Sequence, residues 1–480
     1  MVSDAKVTRG TDAPPGAAVR PRVLVALGAV QLLLLATAAG GGLQGGLPVP
    51  SLPPLVAAFL VSLVAAGLLP GPGDPGSGAR SLLPWIWGFA LLFRVVLLPL
   101  DPLLSDDVWR YLWDGVVQEG GINPFIHPPS APELEALRTP WHPLINNPDV
   151  PTIYPGAAQL LFRFVAWVGG GLLLLKALLV AAELAAAALL YGVAGRLGRA
   201  PGRVLVLVLW SPLAVVETAW SGHVDALGLL FLCLALAAAT RGLRRPGAAP
   251  GRSTPVRAAL AGGALALAAM VKVAPAAALP PFLRALGWRA GVGFGVAGLL
   301  VMLPYLDAGP RLLTGLFTYA EHWRFNEALF GVLEWVVPGP LGARFAAGVL
   351  VIGVVGWVTW RRFPPDRALF WILGSGLLLS PTLHPWYLLW ILPLAALRGS
   401  RGWLLATGTI LLAYWGLGAY QRTGVWPHPD GLRLLIWAPP LLLLLVDWIR
   451  SARSPVPEPL LEPHQSAPHP AGGKEGQEGD

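Results

Sequence analysis

Two adjacent aspartates, Asp106 and Asp107, follow a long apolar run and open the segment SDDVWRYLWDG at 105–115. A close carboxylate pair where a helix leaves an apolar medium suits three jobs: general base, divalent-metal ligand or proton relay. A plainer role is capping, with Ser105 as the N-cap and the acids favouring the positive end of the helix dipole. Capping needs one acid and leaves the arginine and aromatic residues behind it unexplained. On a helix over 106–119, Asp106, Arg110 and Asp114 share one face, and Asp107 and Tyr111 fall on the next. Arg110, Tyr111 and Asp114 are therefore candidates to contact whatever the pair acts on.

Other ionisable residues interrupt apolar sequence further along. Lys272, in VKVAP, stands between two apolar half-helices with Pro275 breaking the run. A lysine there either binds an anion such as phosphate or snorkels to the interface. His384, Trp386 and Tyr387, in TLHPWYLLW, lie between two apolar runs. The aromatics suit an interfacial belt or a ligand equally, and His384 suits contact with a phosphate or sugar. Glu217, His223 and Asp225 surround the turn in WSGHVDALG; they could line a polar cavity, ligate a metal or simply form the turn. Glu321, His322 and Arg324 in 307–343 could cover the site or be solvated. The single cysteine, Cys233, leaves no disulfide and no cysteine-based metal centre within one chain. No phosphate-binding P-loop is present and no GxGxxG follows a strand, which argues against a soluble nucleotide-binding module.

The composition says what must position these residues. Of 480 residues, 55% are hydrophobic and 12% charged, with a mean hydropathy of +0.62, whereas soluble domains carry about 25% charge. Much of the surface must therefore face a medium as apolar as the interior, which is a bilayer. The net charge of +8 does not indicate nucleic acid, because the arginines sit in short turns between apolar runs, as topology signals do. Apolar runs of near-spanning length lie at 22–39, 53–70, 82–100, 171–194, 203–219, 224–240, 258–271, 273–283, 290–306, 344–360, 368–381, 385–398, 402–418 and 432–449. The expected fold is all-α and polytopic, with about 12–14 transmembrane helices.

Placing the N-terminus (Lys6, Arg9, Arg20, Arg22) in the cytoplasm puts the basic turns on the same side: Arg196/Arg199/Arg203, Arg241–Arg257, Arg284/Arg289, Arg361/Arg362/Arg367 and Arg398/Arg401. The loop 101–155 then lies outside, with eight acids against two arginines, a net of −6. Segment 156–168, carrying Arg163, must not cross, or everything downstream would invert. The expected organisation is a cytoplasmic tail over 1–21, a membrane domain over 22–449 with a second outer loop at 307–343, and a disordered cytoplasmic tail over 450–480. Segment 241–257 reads as a cytoplasmic linker.

The run SDDVWRYLWDG, followed by GINPF and PP, resembles the first-loop signature of the GT-C superfamily of membrane glycosyltransferases, especially bacterial polyprenol-phosphate-mannose-dependent mannosyltransferases. The resemblance continues in PTIYPG (151–156), WSPLAVVETAWSGHVDALG (210–228), KVAP (272–275) and SPTLHPWYLLWILPL (380–394), covering roughly 80–400. It implies an extracytoplasmic site in a cell-membrane protein. A polyprenyl-phosphate sugar would be the donor, a lipid or glycan the acceptor, and the outcome inversion. By position, Asp106 would be the base, and Asp107 its partner in orienting the acceptor or holding a divalent cation (Mg or Mn). Arg110, Tyr111, Asp114, Asn123, Tyr154, His223, Asp225, Lys272, His384, Trp386 and Tyr387 would contact substrate. The rival is a transporter or flippase using Asp106 and Asp107; its key acids would sit at mid-span, and no strong internal repeat is visible.

Overall fold

The computed structural model describes residues 21–45, 49–71, 78–241, 254–423, 425, 427 and 430–453. Of the two tails expected at 1–21 and 450–480, only residue 21 and residues 450–453 are described, as helix ends, and most of the linker at 241–257 lies outside the described residues. Every regular element among those described is helical, as the composition requires. In chain order these are α1 (Pro21–Gly45), α2 (Leu52–Leu68), α3 (Gly78–Leu97), α4 (Asp107–Glu119), α5 (Gly156–Trp167), α6 (Leu172–Arg196) and α7 (Pro201–Leu209). There follow α8 (Pro212–Val215), continued by a π-helical turn at Val216–Trp220, then α9 (Asp225–Thr240), α10 (Pro255–Ala269), α11 (Leu279–Leu286), α12 (Trp288–Met302) and α13 (Thr314–His322). The chain ends with α14 (Phe330–Val336), α15 (Pro340–Trp360), α16 (Pro365–Leu378), α17 (Leu392–Arg398), α18 (Arg401–Thr409), α19 (Leu417–Thr423) and α20 (Asp430–Arg453).

Among the described residues, seven helical segments are long and apolar enough to cross a membrane. An eighth forms if α7 and the helical stretch Pro212–Trp220, bent by 53°, count as one. Three shorter apolar helices, Ser81–Leu97, Asp225–Thr240 and Pro255–Ala269, join them. The expected count of 12–14 treated every apolar run as a continuous helix. Prolines break several of them: 273–283 and 385–398 each fold as a 3₁₀ turn followed by a helix of only 8 or 7 residues. Proline removes a backbone donor and clashes with the preceding turn, so these runs are broken into two pieces rather than continuous helices. Segment 156–168 is a 12-residue helix, about 18 Å long and too short to cross, as the charge pattern demanded.

Outer faces of α12, α15 and α20 are almost wholly apolar; Phe345, Ile352 and Leu442 are 61–76% exposed, as lipid-facing surface should be. Ionisable groups point inward and find one another. Arg94 on α3 is fully buried and forms a two-pronged ion pair with Glu183 on α6, while donating to Leu209 O on α7 at 3.0 Å. One guanidinium thus ties three helices together. At one end of α6, Lys176 donates to Leu100 O at 2.6 Å. At the other, Arg196 reaches Thr240, and Arg199 and Arg398 act on Asp366, so basic turns expected on one side gather at one end.

Small residues let helices approach closely. A Cβ on Gly262 of α10 would lie 1.8 Å from Ala290 O, and one on Gly293 of α12 would lie 2.0 Å from Ala259 O, a small-residue seam of the membrane type. Gly262→Ala is therefore expected to destabilise the protein by about 1–3 kcal/mol through overpacking. It would appear as a lower melting temperature of the purified protein in detergent; an unchanged melting temperature would contradict this seam.

Candidate active site

Helix α4 does not cross the membrane; it lies against α5, with Gly115 so close to Phe162 that a Cβ would meet its carbonyl at 2.4 Å. Its N-terminus is capped by Ser105, whose Oγ accepts from Asp107 N at 3.3 Å. Asp106 stands at the N-cap position without a capping hydrogen bond, so both carboxylates remain available. Asn146 Nδ2 bridges them, donating to Asp106 Oδ1 at 2.7 Å and Asp107 Oδ1 at 2.8 Å. The other oxygen, Asp107 Oδ2, faces the hydroxyls of Tyr154 at 3.4 Å and Tyr111 at 3.5 Å. Burial, followed by the Asp106 charge, pushes Asp107 up to about 6, against the opposing pull of Asn146 and Lys272. Asp106 is exposed, but crowding by the surrounding walls still raises its carboxyl.

Both acids line a cavity of about 350 Å³. Arg110, Asn146, Tyr154, Lys272, His384, Trp386 and Tyr387 also face it, together with Tyr319, Trp323 and Phe325 from the 307–343 segment. That segment is laced to the strand-like stretch before His384: Phe325 N donates to Pro381 O at 3.1 Å and Leu383 N to Phe325 O at 2.7 Å. Lys272 Nζ pairs with both oxygens of Asp225 at 2.8 and 2.9 Å and lies 4.2 Å from the centre of the Tyr387 ring. Trp390 Nε1 donates to the same Asp225 at 2.6 Å. Four rings stack in series: Phe325 on His384 at 4.5 Å, His384 on Trp386 at 4.4 Å, and Trp386 on His223 at 3.9 Å. Burial, reinforced by the Lys272 charge, pushes His384 down to about 3; it is a neutral hydrogen-bonding ring rather than a second cation.

The structure brings most, but not all, of the sequence candidates to one place. Asp106, Asp107, Arg110, Tyr154, Lys272, His384, Trp386 and Tyr387 line the cavity. Arg110 does so with its guanidinium already engaged by Asp114 at 2.9 Å and Val150 O at 2.9 Å. Tyr111 and Asp114 are buried behind the wall, where Asp114 also accepts from Thr152 at 2.5 Å and Gln159 at 2.8 Å. His223 and Asp225 are fully buried as well and do not line the cavity; they contact the cavity residues Trp386 and Lys272. Asn123 does not line the cavity: it donates to Tyr305 O at 3.1 Å and Asp307 Oδ1 at 2.6 Å, fastening its loop. His322 is exposed, and Arg324 pairs with Glu327 and Glu334.

Asn146, Tyr319, Trp323 and Phe325 escaped the sequence reading. The one local signal was the Asn-Asn-Pro turn at 146–148: Asn147 has φ 46°, a left-handed conformation that asparagine tolerates. Among the described residues no group of three or more His, Cys, Asp or Glu could hold a metal ion. Asn146 bridges the two carboxylates with an amide, at the position that the alternative of a shared divalent cation would use.

Residues 54–288 match the family model described as "Alpha-(1->6)-mannopyranosyltransferase, N-terminal domain". The chain is also 27% identical, over an alignment of 447 residues, to a protein of Mycolicibacterium smegmatis named "Probable alpha-(1->6)-mannopyranosyltransferase". That alignment covers 79% of this chain and 77% of the relative. The matched region takes in α4, the carboxylate pair, Asn146, Asp225 and Lys272. With the all-helical membrane fold, these matches support a membrane glycosyltransferase that is GT-C-like and similar to mannosyltransferases.

Proposed function

We propose that the enzyme transfers mannose from a polyprenyl-phosphate donor to a hydroxyl of a lipid or glycan acceptor on the extracytoplasmic face, with Asp106 as general base. The observation that carries this reading is one cavity holding both carboxylates and Lys272 amid aromatic walls. Asp106, the more open acid, takes the proton as the acceptor oxygen attacks the anomeric carbon. Asp107 and Asn146 orient that acid and the incoming hydroxyl. Lys272 meets the negative charge growing on the departing phosphate, where a fixed cation has most effect. His384, being neutral, hydrogen-bonds a phosphate or sugar oxygen, and Trp386 and Tyr387 pack against the sugar. Arg110 keeps the cavity wall in place through Asp114.

The names of the matched family and relative favour mannose and an α-(1→6) product. Direct displacement inverts the anomeric carbon, so an α product calls for a β-linked mannosyl phosphate. Asp106 and Asp107 stand beyond the spanning helices, at the start of the non-spanning α4, which favours chemistry at the membrane surface over transport through it. The acidic outer loop and the basic turns gathered at one end support an external site with cytoplasmic termini.

Asp106→Asn is expected to lower transfer of radiolabelled mannose from polyprenyl phosphate to octyl α-(1→6)-mannobioside by about 100-fold or more, the scale of lost general-base catalysis. Undiminished transfer at equal protein level would remove Asp106 from the role of base.

The carboxylate pair must be ionised to act, so kcat/KM should fall as the pH drops through about 6. Asn146 favours the charged forms by donating to both acids. Asn146→Ala should therefore move the acid limb to higher pH. A pH–rate profile in which that limb stays in place or moves down would contradict this role for Asn146.

A further inference from the structure

Behind Asp107, a chain of buried polar groups that ends at Tyr414 on the cavity wall has no part in the mechanism so far. His223 Nδ1 lies 3.7 Å from Asp107 Oδ2, and His223 Nε2 lies 3.3 Å from Glu217 Oε2. The other oxygen of Glu217 accepts from Tyr414 Oη at 2.6 Å. His223 and Glu217 are fully buried, and stacking on Trp386 limits how far the imidazole can move. Both ring nitrogens and Glu217 Oε2 lack hydrogen-bond partners at these positions. The Nε2–Glu217 distance is close to ordinary hydrogen-bond length, and the Nδ1–Asp107 distance is roughly 0.5 Å beyond it.

Donor and acceptor counting then decides which atoms carry protons. A neutral imidazole has one N–H and one bare nitrogen. If Glu217 and Asp107 were both ionised, the ring would donate to one and turn a lone pair towards the other, leaving a buried acceptor facing an acceptor at a cost of about 1–3 kcal/mol. One arrangement with Asp107 charged satisfies every atom. Tyr414 donates to Glu217 Oε1, a protonated Glu217 Oε2 donates to His223 Nε2, and His223 Nδ1–H donates to Asp107 Oδ2.

We propose that Glu217 and His223 are positioning residues that hold one proton on Glu217, so that His223 gives its N–H to Asp107 and keeps that acid ionised. This rests on the carboxylate pair being the reacting centre, as argued above. Other charges in reach of the chain do not reverse its polarity. Asp225 and Asp107 face Glu217 and disfavour a second buried negative charge there, while Asp106 and Asp225 bear in the same sense on Asp107, which Lys272 and Asn146 oppose. Burial, followed by the Lys272 charge, disfavours a protonated imidazole at His223, which keeps the ring neutral and limited to a single N–H. Tyr111 and Tyr154 meet Asp107 from the opposite side as hydroxyl donors.

Two measurements on the full-length protein in detergent test the chain. In infrared spectra at neutral pH, wild type should show the C=O stretch of a protonated carboxylic acid that disappears in Glu217→Gln. Absence of that difference would overturn the proposal whether or not the protein transfers mannose. In the transfer assay, Glu217→Leu should lower kcat by about 10-fold, leave KM for donor unchanged and raise the acid limb, because His223 is no longer held as a donor to Asp107. Glu217→Gln can donate to His223 Nε2 and accept from Tyr414, as the neutral acid does, and should rescue both the rate and the limb. A Gln variant as impaired as Leu, at the same melting temperature, would mean that Glu217 acts as an anion and would sink the assignment. Should the Leu variant fail to fold, the Gln variant's rate and limb decide alone. If Asp107→Asn transfers mannose normally while the infrared band is present, the site reading fails and the buried chain stands.

Discussion

The bridge that Asn146 makes between Asp106 and Asp107 is the contact on which the site depends. Two like charges 4 Å apart in a protein environment of effective dielectric 20 repel by about 4 kcal/mol, and burial adds to that cost. Left alone, such a pair would take up a proton and lose its value as a base. An amide that gives one N–H to each acid offsets part of both terms without adding a positive charge. To reach them, the loop that leaves α4 must double back: Asn147 adopts a left-handed turn, and Thr152 and Arg110 lock the returning strand of chain to Asp114. The packing of α4 on α5 is therefore the means by which a residue forty positions away is held over the carboxylates.

The same constraint governs the membrane-embedded part. A charge among apolar helices is tolerated where another helix supplies its partner, and each such pair fixes a relative position. Arg94 with Glu183 sets α3 against α6 and α7. Lys272 with Asp225 and Trp390 sets the end of α10 against α9 and the turn before α17. The second set also shapes chemistry, because Asp225 holds the ammonium at the cavity edge while a fifth of its side chain, 22%, stays open.

How much of this was legible in the sequence follows from the range of each interaction. The pairings Arg110–Asp114 and Asp107–Tyr111 lie four residues apart on one helix, so periodicity alone predicted them, and both are present. Asp225 and Lys272 were each singled out as anomalous in an apolar run, but nothing in either run said that they pair across 47 positions. Asn146 was missed because an asparagine in a polar loop looks ordinary until the loop is folded back. Asn123 was over-read: in an Asn-Pro turn its side chain serves the local backbone, accepting from Phe125 N at 3.1 Å. The apolar runs outnumber the long unbroken helices among the described residues for a related reason. Hydropathy reports how apolar a run is, whereas Pro275, Pro385 and Pro393 decide whether it stays one helix.

The ring stack explains why one lysine can serve where several cations might be anticipated. Phe325, His384, Trp386 and His223 pack face to face from the 307–343 segment down to the buried side of Asp107, and both histidines are driven towards the neutral form by burial and by Lys272. A wall of neutral rings excludes water without competing for anions. In such surroundings a single fixed ammonium acts over a lower effective dielectric, and its pull on a nearby negative charge is several-fold stronger than in water. On the proposed mechanism, a second cation in that wall would stabilise the ground-state phosphate as well as the departing one, tightening binding without gain in rate. Acids with bridged charges on one element, one tethered cation on another and neutral rings between them keep the attacking and leaving sides of the reaction electrostatically distinct.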